Sequence, residues 1–546
     1  MIEKTASAYD YQLLIKHLID APLSYNSEQE IVYRDKVRLT YKEFRKRINR
    51  LANVLTKLGL ERGKTVGVMD WDSHRYLEVY FAVPMMGSVM HMINIRLSAE
   101  QILYTINHAE DEILLINKDF LPIYEAIKDK LTTVKKVIFL TDDDNKTVPD
   151  NSFAGEYETL LKDADENYNF PDFDENTRAT TFYTTGTTGL PKGVYFSHRQ
   201  LVLHTFGVLS RFSATATHGR LGTDDVYMPL TPMFHVHAWG FPYIATMLGI
   251  KQVYPGKYEP ALICKLIKDE KITFSHCVPT VLQLVFGAKE AESTDFSNMK
   301  IIIGGSAMTE KLCKSALDKG IDIFTGYGMS ETCPVLTLAH LKPHLLNLPT
   351  EKQVEIRCKT GLPLPLTYIN LMSEEGTFLP KDGKTIGEVV VRSPWLTMGY
   401  YKEKERAEEL WRGNWLHTGD LGYFDTEGYL KVVDRAKDVI KSGGEWISSL
   451  DIENIITSHE AVAEAAVIGI PDEKWDERPM ALIVLKESYK GKVTSDDIKK
   501  YFQKFVDNKT ISKWAVPDRI EFVDSIPKTS VGKLDKKVMR KMYAEK

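Results

Sequence analysis

Apolar residues recur at helical spacing from position 41 onward, and they predict the first helix of the chain. The spacing is kept by Tyr41, Phe44, Ile48, Leu51, Leu55 and Leu58. Thr40 and Glu43 match a capping box at the start of this helix, and Gly59 is placed to end it. Short apolar strands at 66–69, 89–93 and 112–116 alternate with helices near 76–83 and after Ser98. Such alternation indicates a parallel sheet with helices on both faces.

The same alternation resumes after a polar stretch, 142–174, which we expect to connect two such units. The second unit is expected to begin with a strand at 179–183, a Thr/Gly-rich loop, a strand at 194–197 and a helix from His198. Further strands are predicted at 251–254, 272–274 and 300–303, and Gly304 and Gly305 close the last into a tight turn. Because ligands of open parallel sheets bind at the carboxyl ends of the strands, these turns are expected to converge on the loop.

Beyond residue 362 the pattern changes to strands punctuated by Gly and Pro, which favours a small, distorted β-barrel. Past a boundary near 434–437, two capped helices and strands at 465–470 and 480–485 predict a compact α+β domain. The fold class is therefore α/β. We expect a large N-terminal domain, 1–434, of two doubly wound sheets plus the barrel, and a small C-terminal domain, 435–546.

Composition limits the class of protein. The chain has 546 residues, 43% of them apolar, and 70 Lys and Arg against 75 Asp and Glu give a net charge of -5. This balance gives no electrostatic footprint for nucleic acid, although the run 528–546 is basic. Five scattered cysteines without metal-ligand spacing suggest reduced thiols and a cytoplasmic setting. No apolar stretch approaches roughly 18 residues, so neither a signal peptide nor a membrane span is expected.

The Thr/Gly-rich loop carries the chemistry of a phosphate cradle. It reads Tyr183-Thr-Thr-Gly-Thr-Thr-Gly-Leu-Pro-Lys-Gly193. Its glycines let backbone amides approach an anion, and its hydroxyls and ammonium add donors and a positive charge. The contributing residues are Thr184, Thr185, Gly186, Thr187, Thr188, Gly189 and Lys192. Pro191 before the lysine and Gly193 after it depart from the P-loop pattern. The alternative, a flexible linker, rarely ends in Pro-Lys-Gly before an apolar run.

Four more motifs follow in the chain, and with the loop they carry a family resemblance. They are Phe324-Thr-Gly-Tyr-Gly-Met-Ser-Glu-Thr332, Trp415-Leu-His-Thr-Gly-Asp420, Asp434-Arg-Ala-Lys-Asp-Val-Ile-Lys-Ser-Gly-Gly444 and Ile526-Pro-Lys-Thr-Ser-Val-Gly-Lys533. In this order the five motifs resemble the adenylate-forming superfamily of acyl-CoA synthetases, peptide synthetase adenylation domains and luciferases. Segments 233–239, 342–361 and 442–448 look most like medium- to long-chain fatty acyl-CoA synthetases.

The resemblance implies a role for each motif in ATP binding. Lys533 would bridge the substrate carboxylate and the α-phosphate, and Glu331 with Thr188 would hold Mg²⁺. Tyr327 would stack on adenine, and Asp420 with Arg435 would hold the ribose. The nucleotide would also be lined by Gly305, Ser306, Thr325, Gly326, Gly328, Ser330 and Lys437. Taken alone, each of these residues has an ordinary structural interpretation. Lys533 could be a solvated lysine and Glu331 a surface acid, while Tyr327 could be a core residue and Asp420 a turn residue.

The resemblance also implies an acyl site and a hinge. His235 would lie at the mouth of the acyl site, although a lone His is more often a core residue, and Trp239 is either a gate of an apolar tunnel or plain core. Lys437 matches the hinge about which the C-terminal domain rotates between the two half-reactions. After rotation, the site for thioester formation and the pantetheine tunnel would be framed by Lys441, Gly443, Gly444, Glu445 and Trp446.

The expected function is activation of a medium- to long-chain fatty acid by ATP and transfer to CoA, with Mg²⁺ as cofactor. The family implies a homodimer, and a fatty substrate is compatible with peripheral membrane contact. The alternatives are an aryl or short-chain acid, transfer to a carrier protein, water or oxygen, and a noncatalytic nucleotide- or lipid-binding module. The last of these would not need Lys533 and Glu331 together.

Overall fold

The computed structural model describes residues 3–144, 146–184, 190–215, 218–442, 445–528 and 534–543, and only the backbone of Glu445. The strands are β1 (Glu30–Tyr33), β2 (Val37–Thr40), β3 (Thr65–Met69), β4 (Val89–Met92), β5 (Asp111–Asn117), β6 (Lys136–Leu140), β7 (Phe153–Glu156), β8 (Arg178–Thr184), β9 (Lys192–Ser197), β10 (Val226–Leu230), β11 (Lys251–Tyr254), β12 (Phe274–Cys277), β13 (Lys300–Ile303), β14 (Asp322–Gly328), β15 (Val335–Leu338), β16 (Leu362–Pro363), β17 (Tyr368–Met372), β18 (Gly387–Arg392), β19 (Leu416–Phe424), β20 (Leu430–Arg435), β21 (Ile440–Ser442), β22 (Glu445–Ile447), β23 (Val462–Asp472), β24 (Asp476–Leu485) and β25 (Arg519–Phe522).

The α-helices are α1 (Asp20–Tyr25), α2 (Tyr41–Lys57), α3 (His74–Met85), α4 (Ala99–Ala109), α5 (Leu121–Ile127), α6 (Tyr157–Lys162), α7 (His198–Ser213), α8 (Phe241–Leu248), α9 (Pro260–Glu270), α10 (Pro279–Phe286), α11 (Glu310–Asp318), α12 (Thr350–Arg357), α13 (Lys404–Leu410), α14 (Ser449–Ser458), α15 (Ser495–Asp507) and α16 (Lys536–Tyr543). The described helices include none that is both long and apolar enough to cross a membrane.

The helix α2 forms as its sequence predicts. Thr40 accepts a hydrogen bond from the amide of Glu43, and Glu43 returns one to the amide of Thr40. The apolar stripe of the helix, including Phe44 and Leu51, is fully buried and packs against α3. Each such side chain contributes ~1.5–3 kcal/mol by leaving water. The same core runs through both large sheets, so they share one interior.

The first large sheet has seven strands in the order β7-β6-β5-β3-β4-β8-β9. All neighbours are parallel except β8 and β9, and β9 forms one edge. The expectation that the strand before the phosphate loop opens the second unit is wrong, because β8 pairs with β4 of the first unit. The order of strands along the chain does not determine which sheet a strand joins. Here β8 adds to the sheet of the first unit by pairing with β4.

The second large sheet has nine strands in the order β16-β15-β14-β13-β12-β10-β11-β1-β2. Its centre is parallel, whereas β15, β16 and β2 run antiparallel to their neighbours. The N-terminal strand β1 pairs with β11, far along the chain. The carboxyl ends of β13 and β14 carry the Gly304–Gly305 turn and the Tyr327 motif, as expected for ligand-binding turns.

Two smaller sheets follow. At the place of the predicted barrel, four antiparallel strands lie in the order β17-β18-β19-β20. The C-terminal residues form a five-stranded sheet of β21 to β25 with α14, α15 and α16, and it has its own apolar core. The α/β fold with a large N-terminal part and a smaller C-terminal α+β part is confirmed. The stretch 142–174, expected to be a connection, contains β7 and α6, and β12 begins at Phe274 instead of 272.

Candidate active site

The phosphate loop leaves β8 and returns in β9. Thr184 and Lys192 face each other as the last pair of the ladder between these strands. Residues 185–189, which include Thr185, Gly186, Thr187, Thr188 and Gly189, lie outside the described residues. The ammonium of Lys192 lies 4.6 Å from the centroid of the Tyr400 ring. The structure thus places the one cation of the loop against an aromatic face at its base.

Glu331 lies on a short turn, Ser330–Thr332, directly after β14. Gly328 at the end of β14 is required there, since a Cβ would come within 1.8 Å of the Pro334 carbonyl oxygen. The Glu331 side chain is buried, and its Oε1 accepts a hydrogen bond of 2.7 Å from the Tyr400 hydroxyl. Tyr400 therefore contacts both the predicted metal ligand and the predicted phosphate-binding lysine.

The donor set fits a magnesium ion that arrives with its nucleotide. Among the described residues, no three His, Cys, Asp or Glu side chains cluster to form a metal cage. Mg²⁺ is commonly held by one or two carboxylates together with substrate phosphate oxygens. A single buried carboxylate beside a phosphate loop meets that requirement.

A second cluster joins β14, β19 and β20. The Tyr327 hydroxyl donates a 2.6 Å hydrogen bond to Oδ2 of Asp420, and Arg435 Nε lies 3.5 Å from Asp420 Oδ1. Asp420 and Arg435 are paired neighbours across β19 and β20. The predicted adenine and ribose contacts are therefore brought together, and Tyr327 is oriented by the carboxylate.

The rest of the predicted nucleotide lining surrounds this cluster. Gly305 and Ser306 are exposed on the turn after β13, Gly326 is within β14, and Ser330 opens the turn of Glu331. The Thr325 hydroxyl is buried and has no hydrogen-bond partner among the described residues. Such an atom costs free energy unless a ligand or water completes it.

The predicted acyl-site segment adopts an uncommon backbone. Four consecutive residues have left-handed φ angles, of 42° at Val236, 61° at His237, 45° at Ala238 and 58° at Trp239. Each non-glycine residue in this region costs about 1–3 kcal/mol, and such conformations concentrate at functional sites. His237 anchors the turn through a 2.8 Å contact between its Nε2 and Thr180 Oγ1 on β8. Burial lowers the pKa of His237 to about 3, so the ring is neutral.

This turn places the Trp239 indole over the end of β13. The ring lies 5.0 Å from the His276 ring, and a Cβ on Gly304 would come within 2.8 Å of its Cη2 atom. Trp239 is only 6% exposed. The indole therefore covers the same Gly304–Gly305 turn that lines the predicted nucleotide site.

His235 lies on the same loop, half-buried and just before the left-handed turn. The loop is held from behind at Met233, whose amide donates to Asp72 Oδ1 at 2.8 Å and whose carbonyl accepts from the Tyr80 hydroxyl. Asp72 also accepts a 2.7 Å hydrogen bond from the Tyr258 hydroxyl. Burial raises the pKa of Asp72 to about 7.

The predicted hinge follows the end of β20. Lys437 is exposed, and the hairpin of β21 and β22 comes next. Lys441 lies on this hairpin, with its ammonium 5.5 Å from the Trp446 ring centroid. Trp446 is 42% exposed, so its indole is not packed into the interior. Gly443, Gly444, Lys533 and the Glu445 side chain lie outside the described residues.

Two site residues were not found from the sequence. Tyr400 follows a glycine in an apolar stretch and has no unusual neighbour, so only its contact with Glu331 identifies it. Asp72 lies more than 150 residues before the loop it holds, and it stands among other polar residues that follow β3, so no local signal set it apart.

Two family models match the chain. One, described as AMP-binding enzyme, matches residues 22–401, and another, described as AMP-binding enzyme C-terminal domain, matches residues 451–533. The chain is 40% identical over 509 residues to a long-chain-fatty-acid–CoA ligase of Thermus thermophilus, covering 93% of this chain and 90% of that protein. It is 38% identical over 546 residues to a 3-methylmercaptopropionyl-CoA ligase of Ruegeria lacuscaerulensis, covering 98% of each.

A solved structure shares the fold. The anthranilate CoA ligase AuaEII, in complex with anthranoyl-AMP, superposes with a TM-score of 0.84 at 22% identity over 99% of both chains. At this identity the likeness shows the architecture.

Proposed function

Because this chain belongs to the AMP-binding enzyme family, we propose that it is an AMP-forming fatty acyl-CoA synthetase. It converts a medium- to long-chain fatty acid and ATP into an acyl-adenylate and pyrophosphate. It then transfers the acyl group to the thiol of CoA and releases AMP. The observation that carries the proposal is that Tyr327, Asp420 and Arg435 form one cluster across β14, β19 and β20. The strand β14 leads directly into the turn that carries Glu331.

The first half-reaction brings two anions together, since a carboxylate attacks the α-phosphate. Positive charge must therefore be fixed around the phosphates before reaction. Lys192 supplies one cation at the base of the loop, and we assign Lys533 as the group that bridges the carboxylate and the α-phosphate. When bound at Glu331 with Thr188, Mg²⁺ would neutralise phosphate oxygens. Asp420 accepts hydrogen bonds from the ribose hydroxyls while Arg435 holds its carboxylate.

The second half-reaction needs a different surface at the same carbonyl. We assign residues 1–434 to the domain that holds the adenylate and 435–546 to a domain that rotates about Lys437. Rotation removes Lys533 from the carbonyl and brings in the β21–β22 hairpin with Lys441, Gly443, Gly444, Glu445 and Trp446. Because glycine has no side chain, Gly443 and Gly444 would leave room for the pantetheine arm. The exposed position of Trp446 supports an orientation in which this hairpin is withdrawn.

The substrate class follows from the loop that carries His235 and Trp239. We assign His235 to the mouth of the acyl site and the buried Trp239 indole, which lies against Gly304, to the gate of an apolar path. A fatty chain gains about 0.8 kcal/mol for each methylene it buries, so such a path favours longer acids. The resemblance to a 3-methylmercaptopropionyl-CoA ligase makes a short acid the second candidate.

The test is AMP release by purified protein with ATP, Mg²⁺ and CoA across linear acids from two to eighteen carbons, together with benzoate. We expect AMP and acyl-CoA in equal amounts, dependent on CoA, with kcat/KM rising toward medium and long chains. A maximum at two to four carbons would support the second candidate. AMP release without thioester, or none with any acid, would contradict the proposal.

The assignment of Lys533 is tested by separating the half-reactions. Lys533→Ala should lower acyl-adenylate formation by about a hundredfold or more, because a positioned charge contributes roughly 3 kcal/mol to the transition state. Thioester formation from synthetic acyl-adenylate should be retained. Equal loss in both steps would show that Lys533 has a structural role.

We also propose a homodimer that works in the cytoplasm. All five cysteines are free and four are buried, which supports a reducing compartment. Light scattering on the purified protein tests the assembly, and a monomer mass at micromolar concentration would refute it.

A further inference from the structure

The segment Thr397–Tyr401 ties together the two elements that carry Glu331 and Lys192. The amide of Thr397 donates to the main-chain oxygen of Glu331 at 2.9 Å. On the other side, the Thr397 hydroxyl donates to the Tyr195 carbonyl at 2.9 Å, and the Tyr401 amide donates to the Gly193 carbonyl at 2.8 Å. One short segment thus spans from the Glu331 turn to the edge strand β9, whose first residue is Lys192.

The Tyr400 side chain also connects the two elements, because it contacts the charged groups of both Glu331 and Lys192. Its hydroxyl donates to Glu331 Oε1 at 2.7 Å, and its ring face receives the Lys192 ammonium at 4.6 Å. Tyr400 is only 8% exposed. Burial, followed by the negative charge of Glu331, raises the pKa of the phenol, so Tyr400 remains a hydrogen-bond donor at neutral pH.

The adjacent tyrosine shows that this arrangement is specific to one ring. Tyr401 stacks under Arg178 at 4.2 Å, and its hydroxyl reaches only Glu110, at 3.4 Å. Among the residues that the structure describes, no hydrogen bond or cation–π contact joins the Tyr401 side chain to Glu331 or Lys192. A general need for aromatic packing would be met equally by both rings, whereas a hydrogen bond to a metal-binding carboxylate is met by Tyr400.

We propose that Tyr400 is a positioning residue for ATP activation: its hydroxyl fixes the Glu331 carboxylate for the metal, and its ring holds Lys192 toward the phosphates. This inference rests on the proposed function. The hydrogen bond from Tyr400 holds the Glu331 carboxylate in one rotamer before the nucleotide arrives. Binding of Mg²⁺ then loses less side-chain conformational entropy, because the carboxylate is already ordered in the free protein. The cation–π contact keeps the ammonium at the base of the loop without neutralising it.

The experiment measures binding of ATP by calorimetry in the absence of a fatty acid, as a function of Mg²⁺ concentration. Tyr400→Phe keeps the ring and the main-chain bonds and removes the hydroxyl. We expect its half-saturating Mg²⁺ concentration to rise about tenfold or more, while metal-free ATP binding stays close to the wild-type value. The melting temperature should fall by only a few degrees, because one buried acceptor loses its donor. Tyr400→Leu removes the ring as well, so it should also weaken metal-free ATP binding.

Tyr401→Phe is the matched control and should bind like the wild type. The proposal is overturned if Tyr400→Phe shows wild-type dependence on Mg²⁺, or if Tyr401→Phe shifts it equally. Wild-type protein that binds ATP and forms acyl-CoA while Tyr400→Phe behaves identically refutes only the role of Tyr400. Wild-type protein that releases no AMP with any acid refutes the proposed function and this inference with it.

Discussion

At the scale of single residues, Trp239 carries the test of the acyl site. Its burial over Gly304 is compatible with a gate and with plain packing. We predict that Trp239→Phe and Trp239→Ala flatten or shift the dependence of kcat/KM on acyl length and leave ATP binding intact. Wild-type kcat/KM can change up to about fourfold per methylene if each contributes about 0.8 kcal/mol.

The control for this prediction is another buried indole. Trp415→Phe changes a ring that packs with Tyr368 and Phe378 on the small antiparallel sheet. It should lower stability and leave chain-length selectivity unchanged. If Trp239→Phe does the same, Trp239 is a packing residue.

A second prediction at this scale concerns pH and the buried carboxyl of Asp72. Burial raises its pKa from the ordinary 3.8 to about 7. Between these values the folded chain holds a proton that the unfolded chain has released, so stability falls as pH rises from about 4 to about 7 and levels off above that. Three pKa units correspond to roughly 4 kcal/mol at most. Asp72→Asn, which can still accept the Met233 amide, should flatten the fall in melting temperature between pH 5 and 8. Asp144→Asn, on the surface, should keep the wild-type slope.

At the scale of elements, α16 is held by a buried ion pair. Lys536 Nζ lies 2.8 Å from Glu453 Oε1 and also bonds the Ser449 hydroxyl, and both side chains of the ion pair are about nine-tenths buried. Removing the cation would leave a buried carboxylate without its counter-charge, which typically costs 3–5 kcal/mol. We predict that Lys536→Met lowers hydrogen-exchange protection in α14 and β23.

The matched control is Lys541→Met, an exposed position of the same helix. It should leave protection unchanged. Unchanged protection in Lys536→Met as well would mean that the apolar face of α16, centred on Met539, anchors the helix without help from the ion pair.

Elements whose signals are local were predictable from the sequence. The capping box and apolar stripe of α2 fixed its start and end to within a residue or two. By contrast, β7 and α6 lie in a polar stretch, where short segments gain stability from the sheet they join rather than from their own pattern. The sheet that receives β8 depends on which edge is open, which no local pattern records.

The candidate site likewise contains residues that the sequence could predict and residues that it could not. Motif residues such as Asp420 and Tyr327 could be named because several motifs recur in one order. The left-handed turn at Val236 could not be foreseen, since a β-branched residue disfavours that conformation and tertiary contacts impose it. Tyr400 was missed because a buried tyrosine is usually core.

At the scale of the whole molecule, contacts cross the predicted hinge. Ser448 Oγ donates to the Val433 carbonyl at 2.7 Å, and the Ser449 amide donates to Asp434 Oδ2 at 2.9 Å. These bonds must break if the C-terminal domain turns about Lys437. Lys437→Pro fixes φ at the hinge. We predict that it leaves adenylation largely intact and lowers thioester formation, measured as separate half-reactions.

Lys437→Ala removes the same side chain and leaves the backbone able to rotate. This variant should therefore catalyse both half-reactions at rates near those of the wild type. Overall turnover of Lys437→Pro equal to that of Lys437→Ala would place the pivot elsewhere.

The pairing of β1 with β11 determines when this protein can finish folding as it leaves the ribosome. Ile31 pairs with Gln252, about 220 residues later. At translation rates of about 5–20 residues per second, roughly 10–45 seconds separate synthesis of the two partners. During that time Ile31, Val32 and Tyr33, which are buried in the folded protein, can pair with β2 on one side, but the edge that β11 covers stays open. The nascent chain therefore carries an apolar strand that chaperones can bind, and faster translation should shorten its exposure to aggregation.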